Sequence, residues 1–290
     1  MPGDMPNIHV THDGPVGILT IHRPERFNSL DIATARDFRK AGLQLARDPD
    51  VRCVVVQGVN GIFCSGADLK YIRAHGTQQD FDYLHPDATS ESPGFGEGFK
   101  EILEYLHSTI SEIKRAPKPF IAAVDGVAAA GGFGVAMACD LVFASEPSTF
   151  EWAYHKTGLT GAESSTFFLP RLVGLRVAMG LVLLNPRLTA RQALDLRLIN
   201  DVFPRVIFDE CVMEAAQRIA AGPTEAYGVA KRLINQAAGV EQLDFHLDDE
   251  LQHLSRIANG ADFAEGLQAF FGKRAPDFGR APSGAEPADT

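Results

Sequence analysis

Two short segments of this chain combine small residues with positions where backbone amides become available to a ligand. The first is FCSGADL, Phe63 to Leu69, which follows a β-branched run and precedes a helix expected to begin near Asp68. The first N–H groups of a helix have no internal acceptor and lie at the positive end of its dipole, so this junction suits negative charge. Ser65, Gly66 and Ala67 are small enough for a ligand to approach the main chain closely. The second segment is GVAAAGGFGVAMACD, Gly126 to Asp140, where the run Phe120 to Val124 passes into a helix of very small residues. Neither fits GxxxxGK[ST], and Gly126 to Gly134 does not space as GxGxxG, so phosphate-cradle readings fail. Either loop alone has a plainer explanation, the tight packing of a helix. Two of them, each behind a buried strand, weigh against it.

The elements that would position these loops read as strands alternating with helices. Val16 to His22 alternates toward a strand, and RPERFNSLD supplies a turn with Asp31 as the cap of a helix to about Arg47. Cys53 to Gln57, Phe120 to Val124 and Leu141 to Ala144 predict buried strands. This order predicts an α/β fold whose sheet is covered by helices. From Ile207 the pattern is helical: FDECVMEAAQRIA, then PTEAYGVAKRLINQ opened by Pro223, then Gln242 to Ala258. Residues 1–206 are thus expected to form the α/β core with both loops, and 207–278 a helical region. Residues 279–290, rich in Pro, Ala and acid, are expected to be a disordered tail. The polar stretch Ala74 to Gly98 predicts a surface loop, either a lid or a tolerated insertion.

Composition narrows the function classes. A chain of 290 residues with 45% hydrophobic content can bury a full core without metals or disulfides. Its four cysteines, Cys53, Cys64, Cys139 and Cys211, form no CxxC pair and have no histidine at ligand spacing. That argues for a reducing, cytoplasmic setting and against a metal centre. The segment MPGDMPNIHV lacks the basic and apolar regions of a secretory signal. The most apolar stretch, Phe120 to Ala144, is interrupted by Asp125 and Asp140, so no membrane span is expected. A formal net charge of −10, with no stripe of Lys and Arg, disfavours nucleic acid as a partner.

Taken together, the motifs resemble those of the crotonase (enoyl-CoA hydratase/isomerase) superfamily. The resemblance is carried by RPERFNSL, RCVVVQG, FCSGADL, KPFIAAVDG, the GVAAAGGFG loop, ACDLVFAS, FFLPRLVG, and TARQAL leading into RLINDVF. It implies a core of repeated ββα units wound as a spiral, with a C-terminal helical region that assembles a homotrimer or a hexamer built as a dimer of trimers. It also implies an acyl-CoA thioester substrate, with coenzyme A as part of that substrate and no tightly bound cofactor. One amide from each loop, those of Ala67 and Gly131, would form an oxyanion hole for the enolate or tetrahedral intermediate of hydration, isomerisation or lyase chemistry. Each such donor contributes about 3 kcal/mol to lowering the barrier. By the same resemblance Arg26, Phe27, Ser65, Ala67, Asp68 and Leu69 would meet the cofactor portion. Phe270 and Lys273, in ADFAEGLQAFFGKRAPDF, would reach that of a neighbouring subunit. Lys273 reads equally well as a solvated helix-end cation.

The chain departs from the family pattern where protons are moved. Hydratases of the family carry two glutamates, whose places here hold Gly134 and Tyr154, and the acid of the double-bond isomerases falls on Ala162. The chemically usable groups that remain are Glu163, His155, Tyr154, His107 and Glu151. Glu163 reads either as a proton carrier or as the first acid of the helix ESSTFFLPRL, favoured there by the dipole. His155 and Tyr154 have an alternative as satisfied core side chains, and Glu151 as a solvent-facing one. Aroyl-CoA dehalogenases are similar at Tyr154 and His107 but place a nucleophilic Asp where Ala162 stands; β-diketone hydrolases are similar at His155 and Glu163. Hydrolytic or substitution chemistry therefore stays open, as does a noncatalytic acyl-CoA binding protein.

Overall fold

A computed structural model describes residues 5–75 and 94–279. Residues 76–93 of the expected surface loop and 280–290 of the expected tail lie outside the described residues.

Strands β1 (Ile8–Asp13) and β2 (Val16–Ile21) form an antiparallel hairpin, followed by helix α1 (Ile32–Arg47). Asp31 caps α1 by accepting from the Thr34 N–H, as its residue type favours. A repeated unit then begins. Strands β3 (Cys53–Gly58) and β4 (Ile62–Cys64) lead into helix α2 (Leu69–Arg73), and the long helix α3 (Phe95–Arg115) follows. Strands β5 (Phe120–Val124) and β6 (Val127–Ala129) lead into α4 (Gly131–Ala138). Strands β7 (Leu141–Ser145) and β8 (Thr149–Glu151) lead through a 3-10 turn at Tyr154–Thr157 into α5 (Ser165–Val173) and α6 (Leu175–Leu184). The short β9 (Leu188–Thr189), α7 (Ala190–Asp195) and β10 (Asp201–Phe203) close the core.

The first strand of each unit joins a six-stranded sheet in the order β1-β2-β3-β5-β7-β10. The second strand joins a four-stranded sheet in the order β4-β6-β8-β9. This is the ββα spiral the motifs imply. Each sheet is parallel across its repeats, and the terminal pairs β1–β2 and β8–β9 are antiparallel.

The larger sheet is buried on both faces, which explains its continuous apolar runs. Val54 and Val56 of β3 enter the main core, while Cys53 and Val55 pack in a second core against Phe208, Val212 and Ala216. Those three belong to α8 (Phe208–Ala220), which precedes α9 (Thr224–Ala237), α10 (Leu243–Ala258) and α11 (Ala261–Gly272). Leu243, Leu247, Leu251 and Leu254 of α10 and Phe263 and Leu267 of α11 share the main core with Ile102, Leu103 and Leu106 of α3. No described helix is long and apolar enough to cross a membrane.

Candidate active site

The smaller sheet brings the two glycine-rich loops together. Strands β4 and β6 pair in parallel, Ile62 with Val127 and Cys64 with Ala128, so the segments leaving their ends start side by side. At Gly66, where φ is +94°, an added Cβ would stand 2.8 Å from Ala130 Cβ and 3.1 Å from the Gly131 nitrogen. Only glycine fits that close approach.

The orientation of the Ala67 amide follows from its neighbours. The Leu30 N–H donates to the Gly66 carbonyl, and the Asp68 N–H donates to the Leu30 carbonyl, each at 2.8 Å. In an extended segment successive peptide groups point to opposite sides, so the Ala67 N–H is turned away from Leu30. Gly131 is the first residue of α4, where a helix has no acceptor for its own N–H. No acceptor for either N–H is found among the described residues. Ala130, just before it, has φ 46° and ψ −120°, a rarely populated conformation that costs about 1–3 kcal/mol and turns the chain sharply from β6 into the helix.

Glu163 comes to the second loop from the other side. Glu163 and Ser164 are consecutive non-glycine residues in the left-handed region, with φ 49° and 62°. This pair of turns drives the Glu163 side chain inward, where the residue is 4% exposed. Its Oε1 lies 2.8 Å from the position a Cβ on Gly131 would take. The Tyr154 hydroxyl donates to Glu163 Oε2 and lies 3.3 Å from the Ala162 carbonyl oxygen. The Glu163 N–H donates to His107 Nε2, on α3, at 3.2 Å.

The helix that Glu163 was expected to open starts instead at Ser165. The carboxylate at its N-terminus is Glu250, from α10, which accepts from the N–H groups of Ser164 at 2.8 Å and Thr166 at 3.0 Å and from the Thr166 hydroxyl. Sequence reasoning missed Glu250. The available signal was its phase: it falls on the same helical stripe as Leu243, Leu247, Leu251 and Leu254, where an unpaired carboxylate is costly.

The charge states follow from enclosure. Burial pushes the Glu163 carboxyl up to about 8, against the stabilising Tyr154 hydrogen bond and with the Glu250 charge adding to the rise. Burial, and then the charge of Glu163, hold the Tyr154 phenol well above its ordinary value, so it remains a donor. His107 is pushed down to about 4, chiefly by burial and in spite of Glu250. It is therefore neutral near pH 7. Accepting through Nε2 assigns its proton to Nδ1, which is buried and has the Leu247 backbone as its nearest partner, short of good hydrogen-bond geometry. The Cys64 thiol, beneath the first loop, is raised by burial to about 12 and is a poor nucleophile.

Other candidates are placed differently. His155 is exposed on the 3-10 turn whose first residue, Tyr154, points inward, so the two positions that are similar to the β-diketone hydrolases, His155 and Glu163, are not hydrogen-bonded to each other. Glu151, for which a solvent-facing place is the alternative to a site role, is buried at 5% exposure. It binds Asn185 at 2.8 Å, Arg187 at 3.0 Å and Lys156. Asp68 is also buried: it caps α2 through the N–H groups of Lys70 and Tyr71 and binds both Arg23 and Arg26. Arg26 and Asp68 are thus engaged with each other beside the first loop. Phe27 is 65% exposed, while Ser65 and Leu69 are half-buried. Phe270 is 54% exposed near the end of α11, and Lys273 is exposed just after it.

Comparison with known proteins agrees with this architecture. A family model described as enoyl-CoA hydratase/isomerase matches residues 11–281. The chain is 32% identical over 260 residues to 1,2-epoxyphenylacetyl-CoA isomerase of Escherichia coli (strain K12), covering 90% of this chain and 93% of that one. It is 30% identical over 267 residues to 4-chlorobenzoyl coenzyme A dehalogenase-2 of an Arthrobacter species, covering 92% and 91%. Among solved structures, an enoyl-CoA hydratase from Mycobacterium avium subsp. paratuberculosis K-10 superposes with a TM-score of 0.80 at 31% identity, covering 94% of this chain and 98% of that one. With the sheet order, the paired loops and these matches in agreement, the chain belongs to the enoyl-CoA hydratase/isomerase family, the crotonase superfamily.

Proposed function

We propose that this protein isomerises an acyl-CoA thioester by proton transfer, with the amides of Ala67 and Gly131 as the oxyanion hole and Glu163 as the group that carries the proton. The observation that supports this reading is the Glu163 carboxyl against Gly131, in a chain whose other acid positions hold Gly134, Tyr154 and Ala162. The charge balance is favourable. When the Glu163 carboxylate takes a proton from the carbon beside the thioester, it becomes neutral as one negative charge appears on the thioester oxygen. The two N–H groups receive that charge, and the same proton can return to another carbon. A single carboxyl suffices for such a shuttle, whereas the family's hydratase pattern uses two. Burial of Glu163 strengthens it as a base and brings its titration near the working pH, where proton transfer is most effective.

Tyr154 and His107 act in this reading as supports, one on the carboxyl and one on the backbone N–H of Glu163. His155 has no part in the proton transfer. Substitution at an aromatic ring is disfavoured, because Ala162 offers no nucleophile. An acyl group bearing a ring is favoured, because relatives at 32% and 30% identity are named for phenylacetyl and chlorobenzoyl thioesters. Arg26, Phe27, Ser65 and Leu69 are proposed as the rim for coenzyme A. Phe270 and Lys273 are proposed as contacts to a neighbouring subunit's ligand in a cytoplasmic trimer or hexamer, with the helical region 207–278 making the contacts between subunits.

The test is turnover of a thioester panel that includes crotonyl-CoA, 1,2-epoxyphenylacetyl-CoA and 4-chlorobenzoyl-CoA, by the wild type and Glu163→Gln. Turnover of 1,2-epoxyphenylacetyl-CoA, lost about 10²- to 10⁴-fold in the variant with little change in affinity, is the expected result; turnover of 4-chlorobenzoyl-CoA, whose carbon beside the thioester carries no proton, would instead establish substitution. Tight binding without turnover anywhere in the panel would establish a noncatalytic binding protein instead.

A further inference from the structure

Glu163 holds its place only through two successive left-handed residues, neither of them the Gly or Asn that adopts this conformation readily; within the turn the Ser164 hydroxyl donates to the Glu163 carbonyl at 2.5 Å, a bond between adjacent residues that ties the turn to nothing around it. Something else must hold the turn. The groups packed around it are Tyr154 from the 3-10 turn, His107 from α3, Cys64 at the end of β4, and Glu250 and His246 from α10. Of these, Glu250 alone bonds the backbone on the far side of the turn. One oxygen takes the Ser164 N–H at 2.8 Å, and the other takes the Thr166 N–H at 3.0 Å and its hydroxyl. The same carboxylate lies 3.9 Å from His107 Nε2, the atom that receives the Glu163 N–H. Its own residue is 5% exposed. Thr166 Oγ1 is in turn 2.7 Å from Nε2 of His246, whose side chain is 37% exposed.

We propose that Glu250 is a positioning residue for Glu163: by gripping the Ser164 and Thr166 amides it fixes the left-handed turn that aims the Glu163 carboxyl at the second loop. This rests on the reading of Glu163 as the proton carrier. Its negative charge has a second effect at that carboxyl, since it opposes ionisation of Glu163 and so makes it a stronger base. A residue that merely stabilised the fold would have neither effect.

The experiment compares wild type, Glu250→Gln, Glu250→Asp and Glu163→Gln by two measurements. One is the pH titration of the buried carboxyl C=O stretch by infrared difference spectroscopy. The other is kcat and KM on the thioester the wild type turns over best. Glu163→Gln identifies the Glu163 band by removing it. Glu250→Gln keeps the shape and deletes the charge, so the Glu163 titration moves to lower pH and kcat falls about 10- to 100-fold, with KM little changed. Glu250→Asp retains the charge, keeps the titration near its wild-type position and recovers part of kcat; it also serves if Glu250→Gln does not fold. A Glu250→Gln protein with wild-type titration and wild-type kcat overturns the inference and leaves the role of Glu163 standing. Full activity in Glu163→Gln overturns that role, and with it the function proposed for Glu250.

Discussion

A Cβ placed on Gly134 would stand 2.4 Å from the carbonyl oxygen of Glu163 and 2.7 Å from its Cβ. The place where the family's hydratases carry a glutamate is therefore filled here by the backbone of a different acid. The two arrangements exclude each other: a side chain at 134 and the present turn at 163 cannot coexist. Gly134→Ala is expected to destabilise the protein by about 1–3 kcal/mol, the usual cost of overpacking against atoms that cannot move aside. Gly134→Glu is expected to lose activity without gaining hydration of crotonyl-CoA. Denaturant unfolding and a hydration assay check both, and a Gly134→Glu protein of wild-type stability would contradict the exclusion.

The Glu163 carboxyl makes a pH-dependent contribution to stability whose sign can be worked out. Its value in the folded protein is about 8 against an ordinary 4.5, so between those limits the folded state binds more protons than the unfolded state. Stability from this group is complete below about pH 4.5, declines as pH rises, and levels off above about 8, with a slope of at most about 1.4 kcal/mol per pH unit. Glu163→Gln removes the slope. The melting temperature of the variant should therefore rise relative to wild type between pH 5 and 8; a constant difference would show that the group does not titrate there.

His107 contributes with the opposite sign. Its folded value of about 4 lies below the ordinary 6.5, so the unfolded state binds more protons in that interval and stability rises with pH until about 6.5. His107→Phe should remove this rise and leave the Glu163 N–H short of an acceptor, at a cost of about 1–3 kcal/mol near neutral pH. Melting curves at pH 4.5 and 7 separate the two effects. A variant that loses equal stability at both would assign His107 a purely steric role.

The legibility of the fold tracks the length of its elements. The five-residue strand at Phe120–Val124 announces itself as an apolar run, and the helices at 32–47, 208–220 and 243–258 through periodicity, the first also through its Asp31 cap. The strands of the smaller sheet have two or three residues each, too few for any period, and read as parts of loops. Yet it is their pairing that brings the loops at Ala67 and Gly131 together. The site divides in the same way. Glycines at 66 and 131 mark close approach, and so both loops stand out in the sequence. The turn at Glu163 and Ser164 carries no glycine or asparagine to betray its left-handed geometry, and the carboxylate that holds it lies 86 residues beyond Ser164. Tyr154 and His155 are equivalent as sequence candidates. Only the 3-10 turn decides that the first points in and the second out.

Asp68 joins the first loop to the N-terminal segment and offers the last test. At 4% exposure it receives Arg23 Nη1 at 2.9 Å and a bidentate pair from Arg26 at 2.9 and 3.0 Å, while its Oδ1 also caps α2. Removing one partner of a buried ion pair leaves the other charge uncompensated, at a cost of about 3–5 kcal/mol. Asp68→Ala loses both charge and cap and should show that full cost. Asp68→Asn keeps an oxygen for the cap, since Asn is as good a cap as Asp, and should lose less. Because the Ala67 amide precedes Asp68 directly, both variants should also lower kcat, and more so on thioesters that form the stronger oxyanion. Pairing Asp68→Asn with Arg26→Gln separates the two roles: if the ion pair is what matters, adding the second change restores part of the stability lost in the first. Additive losses in that double variant would mean that the loss does not pass through Arg26 and lies with the Arg23 contact instead.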